Sequence, residues 1–252
     1  MTKLFVAFAA VSLVACGPGL DAFSRETERV SRTIAVDPGG TLRLKSFSGH
    51  VNIVGGDGNE VVIDALRRAS RDRLDHIKLD IHQDGSTIYV DANKRDAASW
   101  ISNNNVVETE FDIKVPRRLN VDVKVFSANV LVQGVEGRHD VDGFSSRLSV
   151  VDATGSIKAH TFSGSVEIRA KAWQENQNID VNTFSGDVSL HVPENAAGLI
   201  TFNSFSGHLN SDIPLTLRSG NKRSLKAELG AKASNGGNLR FKTFSGSVRI
   251  DR

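Results

Sequence analysis

HTFSGSVEI, from His160 to Ile168, is one copy of a phrase that the chain repeats seven times. The others are KSFSGHVNI from Lys45, KVFSANVLV from Lys124, DGFSSRLSV from Asp142, NTFSGDVSL from Asn182, NSFSGHLNS from Asn203 and KTFSGSVRI from Lys242. Every copy has Phe followed by Ser. Self-similarity at a steady interval marks a repeat architecture. From Phe126 to Phe205 the Phe-to-Phe intervals are 18, 18, 22 and 21 residues. The next, from Phe205 to Phe244, is 39, close to two periods, with a looser stretch over 214–237 in place of one copy. Units this short cannot hold a βαβ crossover, which needs about 30 residues. They fit the coils of a β-solenoid, whose strands pair with the coils above and below. The predicted fold is all-β: a solenoid of 18–22-residue coils with an N-terminal hairpin and cap region.

The phase within a unit supports this. Five and three residues before Phe stand Leu42/Leu44, Val121/Val123, His139/Val141, Ile157/Ala159, Ile179/Val181, Ile200/Phe202 and Leu239/Phe241, with polar residues between them. That is the period of a strand with one buried face. Four residues after Phe the apolar face resumes, at Val51, Val130, Leu148, Val166, Val188, Leu209 and Val248. Inward positions at −3 and +4 are an odd number apart, so the alternation must slip once near Phe-Ser-Gly. Gly49, Gly164, Gly186, Gly207 and Gly246 stand there, where a residue without Cβ can turn or bulge, although Ala128 and Ser146 replace it in two coils. A slip before Phe buries the rings as a core ladder, and this is the expected arrangement. A slip after it leaves Phe126, Phe144, Phe162, Phe184, Phe205 and Phe244 as an outward interaction ladder. The serine row is expected to bond backbone groups at each corner, or to form a ladder between coils.

Outward from the array, residues 33–118 read as an N-terminal β region that contains the first repeat and caps the array. Strands flank Asp37-Pro38-Gly39-Gly40, a short helix or ordered loop is predicted over 67–76, a hairpin turns at Asp84-Gly85, and a polar loop spans 93–105. The array itself is 119–252. With no segment after Arg252 to close it, its last coil is expected to lie open at the end, where a sheet edge could pair with another copy.

The first 15 residues are a targeting segment. Lys3 precedes an apolar run, Leu4 to Val14, too short to span a bilayer but fit for a secretory signal. Leu13-Val14-Ala15-Cys16 resembles a lipobox, which implies cleavage before Cys16 and its acylation. Residues 16–32 then form an anchor and tether. Gly17, in place of a retaining Asp, favours the outer membrane in a two-membrane cell. Cys16 is the only cysteine, so the exported domain has no disulfide, thiolate metal site or cysteine nucleophile.

The remaining chemistry is sparse. Lys and Arg total 31 against 29 Asp and Glu, with no long run of either sign, so nothing points to nucleic acid. The seven histidines are scattered without metal-ligand spacing, no serine sits in a nucleophile elbow, and no cofactor or metal is expected. Glu167 and Asp187, on neighbouring coils, are the nearest approach to a paired-carboxylate site.

The repeated [ST]-x-S-G-x-[VL]-x-[IL], in TFSGSVEI, TFSGDVSL and TFSGSVRI, resembles a bacterial β-strand-repeat family of "putative adhesins". So does the flanking order: Pro38-Gly39-Gly40 before the first repeat, a strand ending in Val115-Pro116, and a later one ending in Val192-Pro193. The resemblance covers about residues 30–252. It implies a solenoid-like, exported, non-enzymatic envelope protein with no catalytic residues to carry over. The functional expectation is a lipid-anchored, adhesin-like scaffold that contacts an envelope protein or polysaccharide. A second reading is an accessory to envelope-stress signalling, and a third a solenoid carbohydrate-active enzyme.

Overall fold

The computed structural model describes residues 25–95, 106–221, 223–230 and 236–252. Cys16, the signal segment and loop residues 96–105 lie outside them. Three strands come first, β1 (Glu26–Ala35), β2 (Thr41–Gly56) and β3 (Glu60–Ala69), then a short helix, α1 (Arg71–His76). The hairpin β4 (Ile77–Asp84) and β5 (Thr87–Arg95) and the strand β6 (Glu108–Pro116) complete the N-terminal region. The array runs through β7 (Asn120–Gln133), β8 (His139–Ser145), β9 (Leu148–Ala153), β10 (Ile157–Ser163), β11 (Val166–Ala170), β12 (Asn178–Ser185), β13 (Val188–His191), β14 (Gly198–Ser204) and β15 (Leu209–Ser211). A second hairpin, β16 (Leu215–Gly220) and β17 (Ser224–Leu229), precedes β18 (Gly237–Ser245) and β19 (Val248–Asp251).

Each coil is two strands meeting at the Phe-Ser corner, and β2 and β7 pass through that corner unbroken. Coil pairs with coil in parallel and in repeat register: Ile157 lies opposite Ile179, Thr161 opposite Thr183 and Ser163 opposite Ser185. The first legs stack as β2-β7-β8-β10-β12-β18-β14 and the second as β2-β7-β9-β11-β13-β19-β15. The apolar residues five and three before Phe are buried in every coil, and those four after it in all but one, where Leu209 is half-buried. The core is thus the predicted ladders of Leu, Val and Ile.

Spatial order departs from chain order at the C-terminal end. The last copy, β18-β19, inserts between the coils of β12-β13 and β14-β15. The segment expected to replace one coil is a hairpin that covers β14: β17 pairs with it antiparallel, and β16 pairs with β17. The expectation that the coil ending at Arg252 is the open terminal one is therefore corrected: that coil is internal, and the hairpin covers the first leg of the terminal coil, while its second leg, β15, pairs with β19 alone among the described residues. At the other end, β5 lies parallel on the first half of β2 and β4 antiparallel on β5. On the second half, β6 is followed by β3 and then β1. Residues 26–32, expected in the tether, belong to β1. Arg67 of β3 is buried, with one arm on the Glu28 carboxylate and the other on the Ile77 carbonyl, and so ties β1 and β3 to the strand after α1.

His139 takes an inward place that other coils fill with aliphatic side chains. It is fully buried, with Nε2 3.4 Å from the Thr154 carbonyl and Nδ1 unpartnered. Burial holds the imidazole below its ordinary 6.5 and keeps it neutral. The unfolded chain therefore binds a proton below about pH 6.5 that the folded coil resists, so stability falls as pH drops through that value. His139→Leu is expected to flatten the fall in denaturation midpoint between about pH 7 and pH 5.

A candidate interaction surface

The corner is decided by the residue before Phe. Strand alternation continues inward through Ser46, Val125, Thr161, Thr183, Ser204 and Thr243, all buried. Phe therefore falls on the outward phase. The slip comes after it: Phe and Ser both face out, and the chain turns in again at the glycine place, where Ala128 and Ser146 are buried. The expected inward Phe row is thus corrected. Inside a corner this narrow a compact Ser or Thr fits, and its hydroxyl can satisfy the turning backbone. Thr161 Oγ1 donates to the Ser163 carbonyl at 3.3 Å and Thr183 Oγ1 to the Gly186 carbonyl at 3.2 Å. Of the Phe-Ser serines, Ser206 makes the comparable bond, 3.4 Å to the Phe244 carbonyl, so the row before Phe takes most of the role expected of the row after it.

Seven phenylalanines stand 37–54% exposed along one edge of the array. They stack in the order Phe47, Phe126, Phe144, Phe162, Phe184, Phe244, Phe205, with centroids 4.6–4.9 Å apart. Beyond the first pair, tilted by 21°, neighbouring planes lie within 2–4°. The ring spacing is the strand spacing, so the ladder is about 28 Å long, one strand step per ring. Each ring covers its neighbours' faces, and the Arg223 guanidinium sits 4.9 Å over Phe205 at the end. What solvent meets is a strip of ring edges, the electropositive rim of the aromatic quadrupole. A contiguous apolar strip of this size, framed by polar rows, is the surface feature that marks a contact site.

On one side, two residues before Phe, run Lys45, Lys124, Asp142, His160, Asn182, Lys242 and Asn203. A shallow trough separates His160, Asn182, Lys242 and Asn203 from the rings of the C-terminal half. Farther out, Arg43–Asp122 (3.2 Å), Lys158–Asp140 (3.6 Å) and Arg240–Asp180 (3.5 Å) link coils by exposed ion pairs. At the N-terminal end of the same face a second depression is lined by Arg43, Lys45, Asp80, His82, Tyr89 and Lys94. Several of its charges pair with one another: Arg43 with Asp122, and His82 and Lys94 with Asp80. Lys94 Nζ donates to Asp80 Oδ2 at 2.7 Å, which holds the Asp80 carboxyl below its ordinary value.

The two carboxylates singled out from the sequence do not form a pair. Glu167 lies opposite Ser189 in the coil register and contacts Arg169 at 2.9 Å, while Asp187 Oδ1 accepts the Ser247 N–H at 2.8 Å. Among the described residues no group of three His, Cys, Asp or Glu is placed to hold a metal, and no helix is long and apolar enough to cross a membrane.

The Toastrack DUF4097 family model matches residues 121–251. A "putative cell adhesion protein" from Clostridium sporogenes has a similar fold at 11% sequence identity and a TM-score of 0.54, over 88% of this chain and 98% of that one. A "putative adhesin" from Bacteroides fragilis aligns over 88% of this chain and 96% of its own at 10% identity, with a TM-score of 0.44. No curated protein matches the sequence.

Proposed function

Since the chain belongs to the Toastrack DUF4097 family, a β-solenoid-like fold, we propose that it is a non-catalytic, adhesin-like scaffold of the cell envelope whose contact surface is the phenylalanine ladder. The observation that carries this is the seven half-exposed rings in one unbroken stack. A solenoid that needed these rings only for stability would turn them inward, where each buried side chain contributes about 1.5–3 kcal/mol. Anchoring through acylated Cys16 would place the array in the envelope, on the outer membrane in a two-membrane cell. The cell-adhesion description of the Clostridium sporogenes protein agrees with this reading. The polar flanking rows offer hydrogen bonds to a protein or glycan partner, while the ring edges supply the apolar contact.

Two measurements test it. Cys16→Ala is expected to abolish incorporation of labelled fatty acid and release the protein from membranes. Phe162→Ser with Phe184→Ser is expected to leave the chain folded and lipidated but to remove its retention of envelope partners in a membrane pull-down. Retention unchanged by the double substitution would contradict the assignment of the ladder.

A further inference from the structure

We propose that the partner seated on the ladder is a second copy of this chain, packed in parallel about a twofold axis that runs along the array. The inference rests on reading the ladder as a contact surface and names what covers it. Four features favour a copy of the chain.

The first is period. The rings repeat at 4.6–4.9 Å, the interval between strands, and another stacked array presents the same interval along its whole length. The second is area. An aromatic side chain carries about 150–250 Å² of buriable surface, so seven rings near 45% exposure offer roughly 600 Å². With the flanking rows this approaches the ~800 Å² per partner of a standard interface.

The third is shape. The trough runs beside Phe162, Phe184, Phe244 and Phe205, between these rings and the row of His160, Asn182 and Lys242. A twofold along the array reverses left and right while keeping the coils level, so each ridge of rings can seat in the other copy's trough. An antiparallel twofold sets ridge on ridge. The fourth is charge. The parallel arrangement brings the row two before Phe against the partner's row three after it, at the same level. Asp142 then meets Arg147, an exposed side chain in this chain, twice by symmetry, and no like charges oppose. The antiparallel arrangement would set Lys124 against Lys242. In the parallel pair, both copies also present residue 25, the first described residue, at the same end, as two chains tethered to one membrane require.

The test uses the full chain extracted in detergent. Sedimentation should give twice the chain mass at about 10 µM, a concentration at which an interface of this size holds. Phe162→Ser with Phe184→Ser should give the single mass with an unchanged far-ultraviolet spectrum. Asp142→Arg and Arg147→Asp should each weaken association about tenfold, and the two together should restore it. Phe126→Cys should form a disulfide-linked dimer, since parallel packing sets Phe126 level with its own copy, whereas antiparallel packing sets it against Phe244. The unsubstituted chain should form none. A single-chain mass for the unsubstituted protein overturns the inference. If the Phe double variant then still loses envelope retention, the ladder remains a contact surface for another partner, and if retention persists both readings fall. A dimer that survives the Phe and charge substitutions also overturns the inference.

Discussion

Phe241→Ala should cost about 3–5 kcal/mol of folding free energy, the usual range for deleting a buried aromatic ring. The same change at Phe244, three residues farther along β18, should cost less, about 1–3 kcal/mol. Phe241 is fully buried between the coils of Val181 and Phe202, its partners across β12 and β14. Its removal leaves a cavity in the middle of a stack whose neighbours are fixed by parallel hydrogen bonding, so the site collapses poorly. Phe244 loses two ring contacts, at 4.8 Å to Phe184 and 4.8 Å to Phe205, each of which adds about 0.5–1.5 kcal/mol, and opens no cavity. Urea midpoints of the two variants check the contrast directly. Equal losses would mean that the ring at 244 is a core residue.

Gly186→Ala should destabilise by about 3 kcal/mol, at the top of the overpacking range. A Cβ at Gly186 would lie 1.7 Å from the Gly164 carbonyl oxygen and 2.7 Å from its carbonyl carbon. Both are backbone atoms of the adjacent coil, and they cannot move without pulling that coil's corner with them. Here glycine is required by close approach rather than by conformation, since positive φ at the corner occurs at Gly49 and Gly164 alone of the five motif glycines. Gly58→Ala provides the comparison. It has positive φ (118°) and nothing within 4 Å, so the cost is the backbone preference alone, about 1 kcal/mol. If the two substitutions shift the melting temperature equally, the inter-coil contact is not what selects glycine.

Much of this architecture was legible in the chain. The Phe-Ser interval gave the coils, and the apolar pairs five and three before Phe gave the buried legs, because a strand exposes its phase directly in sequence. Two features were not. The direction of Phe depended on where one residue of slip occurred, and counting between −3 and +4 locates it only to within that span. The usable signal was the residue before Phe, which is Ser or Thr at 46, 161, 183, 204 and 243. A compact hydroxyl so placed fits a tight inner corner better than a surface between charged rows. The insertion of β18 was hidden because parallel strands leave no mark of spatial order in their spacing. Only the 39-residue interval hinted that the chain goes elsewhere before returning. The start of β1 escaped for another reason. It is an outer strand whose inward phase carries Glu26, Glu28 and Arg32 beside Val30 and Ile34, so apolar periodicity was diluted. Seven equivalent corners make a repeating surface, not a unique one.

That the rings face solvent while the rest of the coil is closed can be read from thiol chemistry on the folded protein. Phe184→Cys and Val181→Cys differ by three positions on β12, one 45% exposed in the native chain and the other fully buried. Maleimide labelling in native buffer at about 10 nM, far below the concentration at which two copies associate, is expected to modify the cysteine at 184 at close to the rate of the unfolded chain and to spare the one at 181 until denaturant is added. Protection of the cysteine at 184 to the same degree as that at 181 would contradict the outward ladder and the contact surface built on it.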